Sequence, residues 1–388
     1  MLAESINHAE VTVDVLIIGG GIIGSSIAYH TAQQGRTVLV VERKEVAAEP
    51  TASWASAGGI RPQGLHAAEA DLACRSLARW PHLSEELDTD LHYHNGGHLL
   101  LAESEAEAEQ LQHFVQCQHE LGFADVSFVD RKTAVKLVPW LGEQIVAGSF
   151  SPTSGHADPR RTTRAFAAAA QRHGAIYWLG TECLALHRTA DRVVGALIER
   201  GSVQAEQTVL AAGAWSHELA RSIGIHLPLR ARALQILLST PATSRMLLPV
   251  VSTVKGTLSL KQQPDGAFVL GGGWLADPTS DNRSYTLRKA SQQGNWDLAC
   301  AVFPPLSKLR RASAWAGLQA STPDDLPFIG NFSGLSGLTL ALGSWYGFAL
   351  APAIGSVVAD HLAGLPTPGL DQLTPDRIAH FTPAQERF

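Results

Sequence analysis

The feature that most constrains this chain is a cluster of glycines set between a buried strand and a helix. Val13-Asp14-Val15-Leu16-Ile17-Ile18 is followed without a gap by Gly19-Gly20-Gly21-Ile22-Ile23-Gly24. A continuous apolar run of strand length reads as a strand covered on both faces, as in a parallel sheet. Ser25 to Gln34 reads as a helix that stops at Gly35, and Thr37 to Val41 as a second β-branched strand closed by Glu42. Asp14 to Arg43 is therefore a complete βαβ unit. Gly19 permits the tight turn, Gly21 lets backbone approach a pyrophosphate, and Gly24 lets helix and strand pack closely. The helix N-terminus faces the phosphate charge. Glu42 stands where it would accept hydrogen bonds from the adenosine ribose, which argues against a 2′-phosphate. FAD and NAD share this fingerprint, so it fixes a dinucleotide without choosing between them.

The rest of the chain mixes two patterns. Residues 66–90 and 103–122 read as helical, His98 to Ala102 as a strand, and Asp158 to His173 as a long Ala- and Arg-rich helix. Ala175–Leu179, Glu182–Arg188, Val193–Glu199 and Gln207–Ala211 read as strands. From about 228 to 275 the strands lengthen and alternate, with a turn at Pro264-Asp265-Gly266. Residues 325–363 return to strand, Gly-rich loop and helix. This interleaving predicts a mixed α/β (α+β) fold: a Rossmann-like domain with an inserted substrate domain on a mostly antiparallel sheet. The boundaries expected are 10–90, 145–225 and 320–365 for the first, 91–144 and 226–319 for the second. The remainder, 366–388, is expected as a surface tail.

Composition excludes several alternatives. With 388 residues, two connected domains are the default. The net charge of −6 and the absence of a basic stripe argue against nucleic acid as a partner. Cys74, Cys117, Cys183 and Cys300 lie far apart, without metal-ligand or disulfide spacing. No segment offers about 20 uninterrupted apolar residues and the N-terminus lacks a leader pattern, so a cytoplasmic protein without a membrane span is expected.

Four blocks make the chain resemble the D-amino-acid oxidase superfamily of flavoenzymes, in the branch of glycine oxidase and the sarcosine oxidase β-subunit. The first is the βαβ unit with Gly19, Gly21, Ile22, Ile23, Gly24, Glu42 and Arg43. The second is the small-residue run from Thr51 to Pro62, in which Ala52, Ser53, Ala57, Gly58 and Gly59 match the family's FAD loop. The third runs from Gly155 to Ser216; Cys183 matches a position that contacts the adenine end through its backbone, and Gly213 turns the chain beside the cofactor. The fourth holds Trp315-Ala316-Gly317-Leu318-Gln319, the Pro323–Gly330 stretch, and Gly343-Ser344-Trp345-Tyr346-Gly347-Phe348-Ala349-Leu350. The resemblance implies bound FAD, without a covalent link, since the Pro-Asp-Asp-Leu-Pro stretch carries no cysteine. It implies that the Gly343–Leu350 loop and the helix after it point N–H groups and a positive dipole at the pyrimidine edge of the flavin.

The activity implied is oxidation of a carbon–nitrogen bond of an amino acid or secondary amine, by hydride transfer to flavin N5, giving an imine that hydrolyses. The chain departs from glycine oxidase at two cationic anchors: Gln319 and Tyr346 stand where that enzyme's family pattern has arginines. Glutamine cannot imitate a bidentate guanidinium clamp. Arg61 is the candidate replacement anchor, with a surface or phosphate-facing arginine as the alternative. Trp345 and Tyr346 are candidates for an aromatic wall over the flavin, or plain core aromatics. Lys255 and Lys261 fall in the inserted sheet, where the resemblance puts substrate or oxygen-activating residues, and read first as solvent-exposed with that role as the alternative; no role is assigned to His66, His94 or His98. The nearest pattern is the catalytic β-subunit of heteromeric amine dehydrogenases, including opine oxidases and proline dehydrogenases. That implies a partner subunit that accepts electrons. A self-sufficient peroxide-forming oxidase and a non-catalytic flavoprotein subunit are the competing readings.

Overall fold

The structure is a computed structural model, and it describes residues 11–381. Two eight-stranded sheets organise it. The first is built on Val11–Ile18, whose apolar side chains are buried from Val15 onward on both faces. That strand pairs in parallel with Val38–Val41 on one side and Gly201–Leu210 on the other. Ile176–Trp178 and Leu338–Leu342 extend the sheet in parallel, and Phe328–Gly330 closes one edge antiparallel. Cys183–Thr189 and Arg192–Ile198 hang from Gly201–Leu210 as an antiparallel ribbon.

One face of this sheet is covered by Ile22–Gln33, Pro159–Arg172 and Gly347–Leu362. Ile22–Gln33 is buried almost all round, so its apolarity is not confined to one stripe. It crosses Gly347–Leu362 closely enough for Ser26 Oγ to donate to Ala351 O at 2.9 Å. The crossing requires Gly355, where an added Cβ would lie 2.0 Å from Ser26 Oγ.

The second sheet runs Arg311–Ser321, Arg230–Ser239, Phe268–Gly271, Ser259–Gln262, Val250–Thr253, His98–Ala102, Ala147–Ser151, Ser127–Asp130. All its pairs are antiparallel except Val250–Thr253 with His98–Ala102. Its core packs Phe268, Leu260 and Leu270 against Phe303 and Leu306. Pro264-Asp265-Gly266 is the turn of a hairpin there, with Gly266 N–H donating to Gln263 O at 3.0 Å.

Several local expectations shift. The glycine-turn helix begins at Ile22 rather than Ser25, and the strand expected at Gln207 begins at Gly201. The helix expected over 66–90 is broken into Ala70–Arg79 and Leu83–Glu86 by the turn Trp80–His82, where Pro81 lacks a helical N–H. The helix Lys289–Val302 was not anticipated; Gly294 and its neighbouring glutamines obscure its period. As far as residue 381 the tail is not simply surface coil; its remaining residues lie outside those described. Leu370 and Leu373 are buried, and Arg377 pairs with Asp324 at 2.8 Å. Apolar residues spaced between prolines were enough to dock it.

Candidate functional site

The two sheets flank a cavity of about 850 Å³, within the range of small-molecule and cofactor sites. The glycine turn forms one end. Gly19 has φ +107, and an added Cβ would strike Ala211 O at 2.6 Å, so backbone from the neighbouring strand closes against it. Gly19, Gly21, Ile22 and Ile23 line the cavity. Gly24 does not; it sits behind, where a Cβ would meet Gly19 O at 2.0 Å. The first-turn N–H of Ile22 donates to Ser53 Oγ at 2.9 Å, so the loop from 52 to 59 is fastened to the helix N-terminus.

Glu42 lines the same end. Its carboxylate accepts from Gly20 N–H at 2.8 Å and Lys44 N–H at 2.9 Å, so it shapes the turn as well as facing the cavity. Burial pushes its carboxyl up, and the N–H groups of Lys44 and Gly20 together with Arg43 oppose that. Arg43 stacks over Trp215, 4.6 Å from its ring, and lies 3.9 Å from Glu182. Trp215 and Glu182 also line the wall, and neither carried a sequence signal beyond its motif. Cys183 is there too, its thiol pushed up to about 12 by burial, so it stays protonated and unreactive at neutral pH.

The loop residues Ala52, Ser53, Ala57, Gly58 and Gly59 form a side wall, and Gly213 faces them. Ser344 to Ala349 enter at the N-terminus of Gly347–Leu362, beside the glycine-turn helix, since a Cβ at Gly343 would lie 3.6 Å from the Ile23 side chain. Leu350 lies outside the wall, buried in the core beneath it.

The substrate candidates Arg61, Gln319, Trp345 and Tyr346 reach the cavity from three separate segments. The Arg61 guanidinium donates to Gln63 O and, at 3.1 Å, to Tyr346 Oη. It also lies 5.0 Å from the Tyr346 ring centroid. Gln63 was missed. It is fully buried, its amide nitrogen is 2.9 Å from His98 Nδ1, and its amide oxygen accepts from Ser149 Oγ. His98 Nε2 lies 3.0 Å from Ser252 Oγ, which lines the cavity. Burial, with Arg61 nearby, holds the His98 imidazole well below its usual pKa, so it is neutral. His94 and His66 lie off the cavity wall.

Three buried polar groups on the wall have no protein partner: Gln319 Nε2, Ser344 Oγ and Thr253 Oγ1. Buried polar groups cost stability unless bonded, so these point to a polar ligand. A glycine turn with a helix N-terminus behind it, together with unpaired polar groups on the same cavity wall, fits FAD.

The two lysines part company. Lys255 is exposed and pairs with Glu103 at 3.6 Å and Glu107 at 3.5 Å. Lys261, read as solvent-exposed, is buried: its strand turns it under the 52–59 loop, where Nζ donates to Ala157 O at 3.3 Å. There it lines a second cavity of about 780 Å³ behind Ser56 and Ala57. Burial pushes its pKa down from 10.5 to about 8. Below pH 8 both folded and unfolded forms hold the proton, and the cost of burying the charge is fully present. Between about 8 and 10.5 the unfolded chain binds more protons, so stability rises with pH. Thermal unfolding of wild type and Lys261→Met should show the wild type gaining on the variant across that window; parallel curves would refute the assignment.

The chain is similar to known proteins over most of its length. A family described as "FAD dependent oxidoreductase" (DAO) matches residues 14–361. Glycine oxidase from Bacillus licheniformis is 31% identical over 375 residues, covering 91% of this chain and 94% of that protein. Mitochondrial dimethylglycine dehydrogenase from Mus musculus is 27% identical and covers 96% of this chain, which spans only 45% of that longer protein. Among solved structures, L-proline dehydrogenase from P. horikoshii has a TM-score of 0.88 at 27% identity, covering 96% of this chain and 99% of that one.

Proposed function

Because the chain belongs to the FAD-dependent oxidoreductase family and is an FAD-dependent oxidoreductase of amino acids or amines, we propose that its substrate is an N-substituted amino acid. The N-substitution rests on likeness to dimethylglycine dehydrogenase and L-proline dehydrogenase, and the carboxylate rests on the Arg61 guanidinium. It faces the cavity, fixed by Gln63 O and Tyr346 Oη, and no carboxylate among the described residues forms an ion pair with it. An unneutralised, pre-positioned guanidinium recognises a carboxylate. Gln319 and Tyr346 bring no charge of their own, so a substrate held by two arginines at those positions does not fit.

FAD, when bound, supplies the two-electron oxidation of the carbon–nitrogen bond. The protein groups do the rest. Gly19, Gly21 and the Ile22–Gln33 N-terminus hold the pyrophosphate, and Glu42 the ribose. Arg61 grips the substrate carboxylate, Trp345 and Tyr346 exclude water, and the positive end of Gly347–Leu362 favours negative charge on the flavin ring. We take FAD to be bound without a covalent link. The described cavity wall has no histidine, and its one cysteine, Cys183, is held as an inert thiol.

A second reading concerns the electron acceptor. Likeness to two dehydrogenases, one of them with a TM-score of 0.88, supports an acceptor other than dioxygen, such as a partner subunit, while likeness to glycine oxidase supports dioxygen. One experiment tests both. The purified yellow protein is mixed without oxygen with sarcosine, glycine, D-amino acids, proline isomers and opines. We expect bleaching of the flavin by an N-substituted compound and slow recovery in air. Bleaching by primary D-amino acids alone overturns the substrate class; rapid recovery with peroxide overturns the separate acceptor.

A further inference from the structure

Trp345 and Tyr346, consecutive at the head of Gly347–Leu362, each face an arginine, and the two arginines come from different walls. Arg61 arrives from the loop after Gly59 and lies 5.0 Å from the Tyr346 ring. Arg232 arrives from Arg230–Ser239 of the second sheet and lies 6.0 Å from the Trp345 ring.

The sheet register places Arg232 further. It stands directly opposite Gln319 in the antiparallel pair Arg230–Ser239 and Arg311–Ser321. Residues opposite one another in a sheet share a face, and that face recurs every second residue. Gln319 lines the cavity, and so do Leu234 and Gly317, which are the next opposed pair on that face. Arg232 is therefore on the same face as Gln319, Leu234 and Gly317; it does not itself line the cavity but stands beside it, 6.0 Å from the ring of Trp345, which does. It is partly exposed, and like Arg61 it takes part in no ion pair among the described residues. Beside it, Gln319 Nε2 is a buried donor without a partner.

We propose that Arg232 is a second anion anchor, and that the substrate is a secondary amine carrying a carboxylate on each of its two N-substituents. This rests on the reading of Arg61 as the anchor for the first carboxylate. Two like charges, one on the cavity wall and one just beyond it, repel each other, and a monocarboxylate neutralises only one of them. A dicarboxylate neutralises both. The Arg232 guanidinium lies 6.0 Å from the Trp345 ring and has no carboxylate partner among the described residues, so its N–H groups are available for the second carboxylate, and the Gln319 amide adds a neutral donor to the same group. Arg232 is thus a specificity-determining residue; the bond that is oxidised and the electron count are those of the activity already described.

The test uses the FAD-loaded protein and two ligands in which sulfur replaces nitrogen, so that the oxidised C–N bond is absent: thiodiacetate, with two carboxylates, and (methylthio)acetate, with one. Dissociation constants are read from perturbation of the flavin absorbance. Thiodiacetate should bind the wild type roughly 10-fold or more tightly than the monoacid, the gain of one charge-assisted contact. Arg232→Gln should erase that preference, weakening thiodiacetate by far more than the monoacid. Arg232→Lys should keep part of it, which separates loss of charge from loss of fold. Arg61→Gln should weaken both ligands. Equal affinities in the wild type, or a preference that survives Arg232→Gln, overturn the proposal. If that happens while monocarboxylate amines still bleach the flavin, the N-substituted amino acid reading stands and only the second anchor falls. If neither acid binds and no amine bleaches a bound flavin, both fall.

Discussion

Arg61→Gln should lower the rate constant for anaerobic flavin reduction divided by the substrate dissociation constant by roughly 100-fold, because leaving a substrate carboxylate without its charged partner in a desolvated site costs about 2–5 kcal/mol. Most of the loss should appear as weaker binding, since Arg61 grips the carboxylate before and after the bond is oxidised. Flavin content should be unchanged, because the guanidinium bonds Gln63 O and Tyr346 Oη rather than the glycine turn. Rapid-mixing traces at several substrate concentrations separate the two constants. A variant within threefold of wild type removes Arg61 from the substrate site. Arg61→Lys should recover only part of the loss, for a lysine cannot present the planar fork.

Gly24→Ala should be nearly as damaging, for an unrelated reason. The added methyl would lie 2.0 Å from Gly19 O and 3.3 Å from Ile17 Cγ2. The first is backbone that forms the pyrophosphate turn, so it has no side-chain freedom with which to yield. Either the helix Ile22–Gln33 moves off the sheet or the turn deforms. Overpacking of this kind costs about 1–3 kcal/mol, and the N–H groups aimed at the phosphate lose their alignment. Purified Gly24→Ala should carry less than a tenth of the wild-type flavin and melt several degrees lower. Gly59→Ala is the contrasting variant, since its Cβ meets no protein atom within 4 Å; its melting temperature without flavin should match the wild type. Full flavin loading in Gly24→Ala would show that the packing is slack there.

Sequence patterns reach different distances into this structure. The strand Val11–Ile18, the glycine turn and the acidic end of the second strand are local devices. Each is specified by residues within one supersecondary unit, so period and steric need alone expose them. The strand His98–Ala102, the helix Pro159–Arg172 and the Pro264-Asp265-Gly266 turn were readable for the same reason. FAD followed from the small-residue blocks taken together, which no single motif supplied.

What the sequence could not carry is the pairing of distant segments. Nothing in the letters around Arg232 says that it stands opposite Gln319, because that register is set by strands meeting across the whole second sheet. The buried set of Gln63, His98, Ser149 and Ser252 joins four stretches through side-chain hydrogen bonds that leave no periodic trace. Lys261 alternates along its strand like any surface lysine, yet the 52–59 loop folds over it and strips its water. Local chemistry determined the dinucleotide unit, and the resemblance carried by four blocks its cofactor; long-range packing decided which charges face the cavity, because burial and register belong to the partners a segment meets and not to the segment itself.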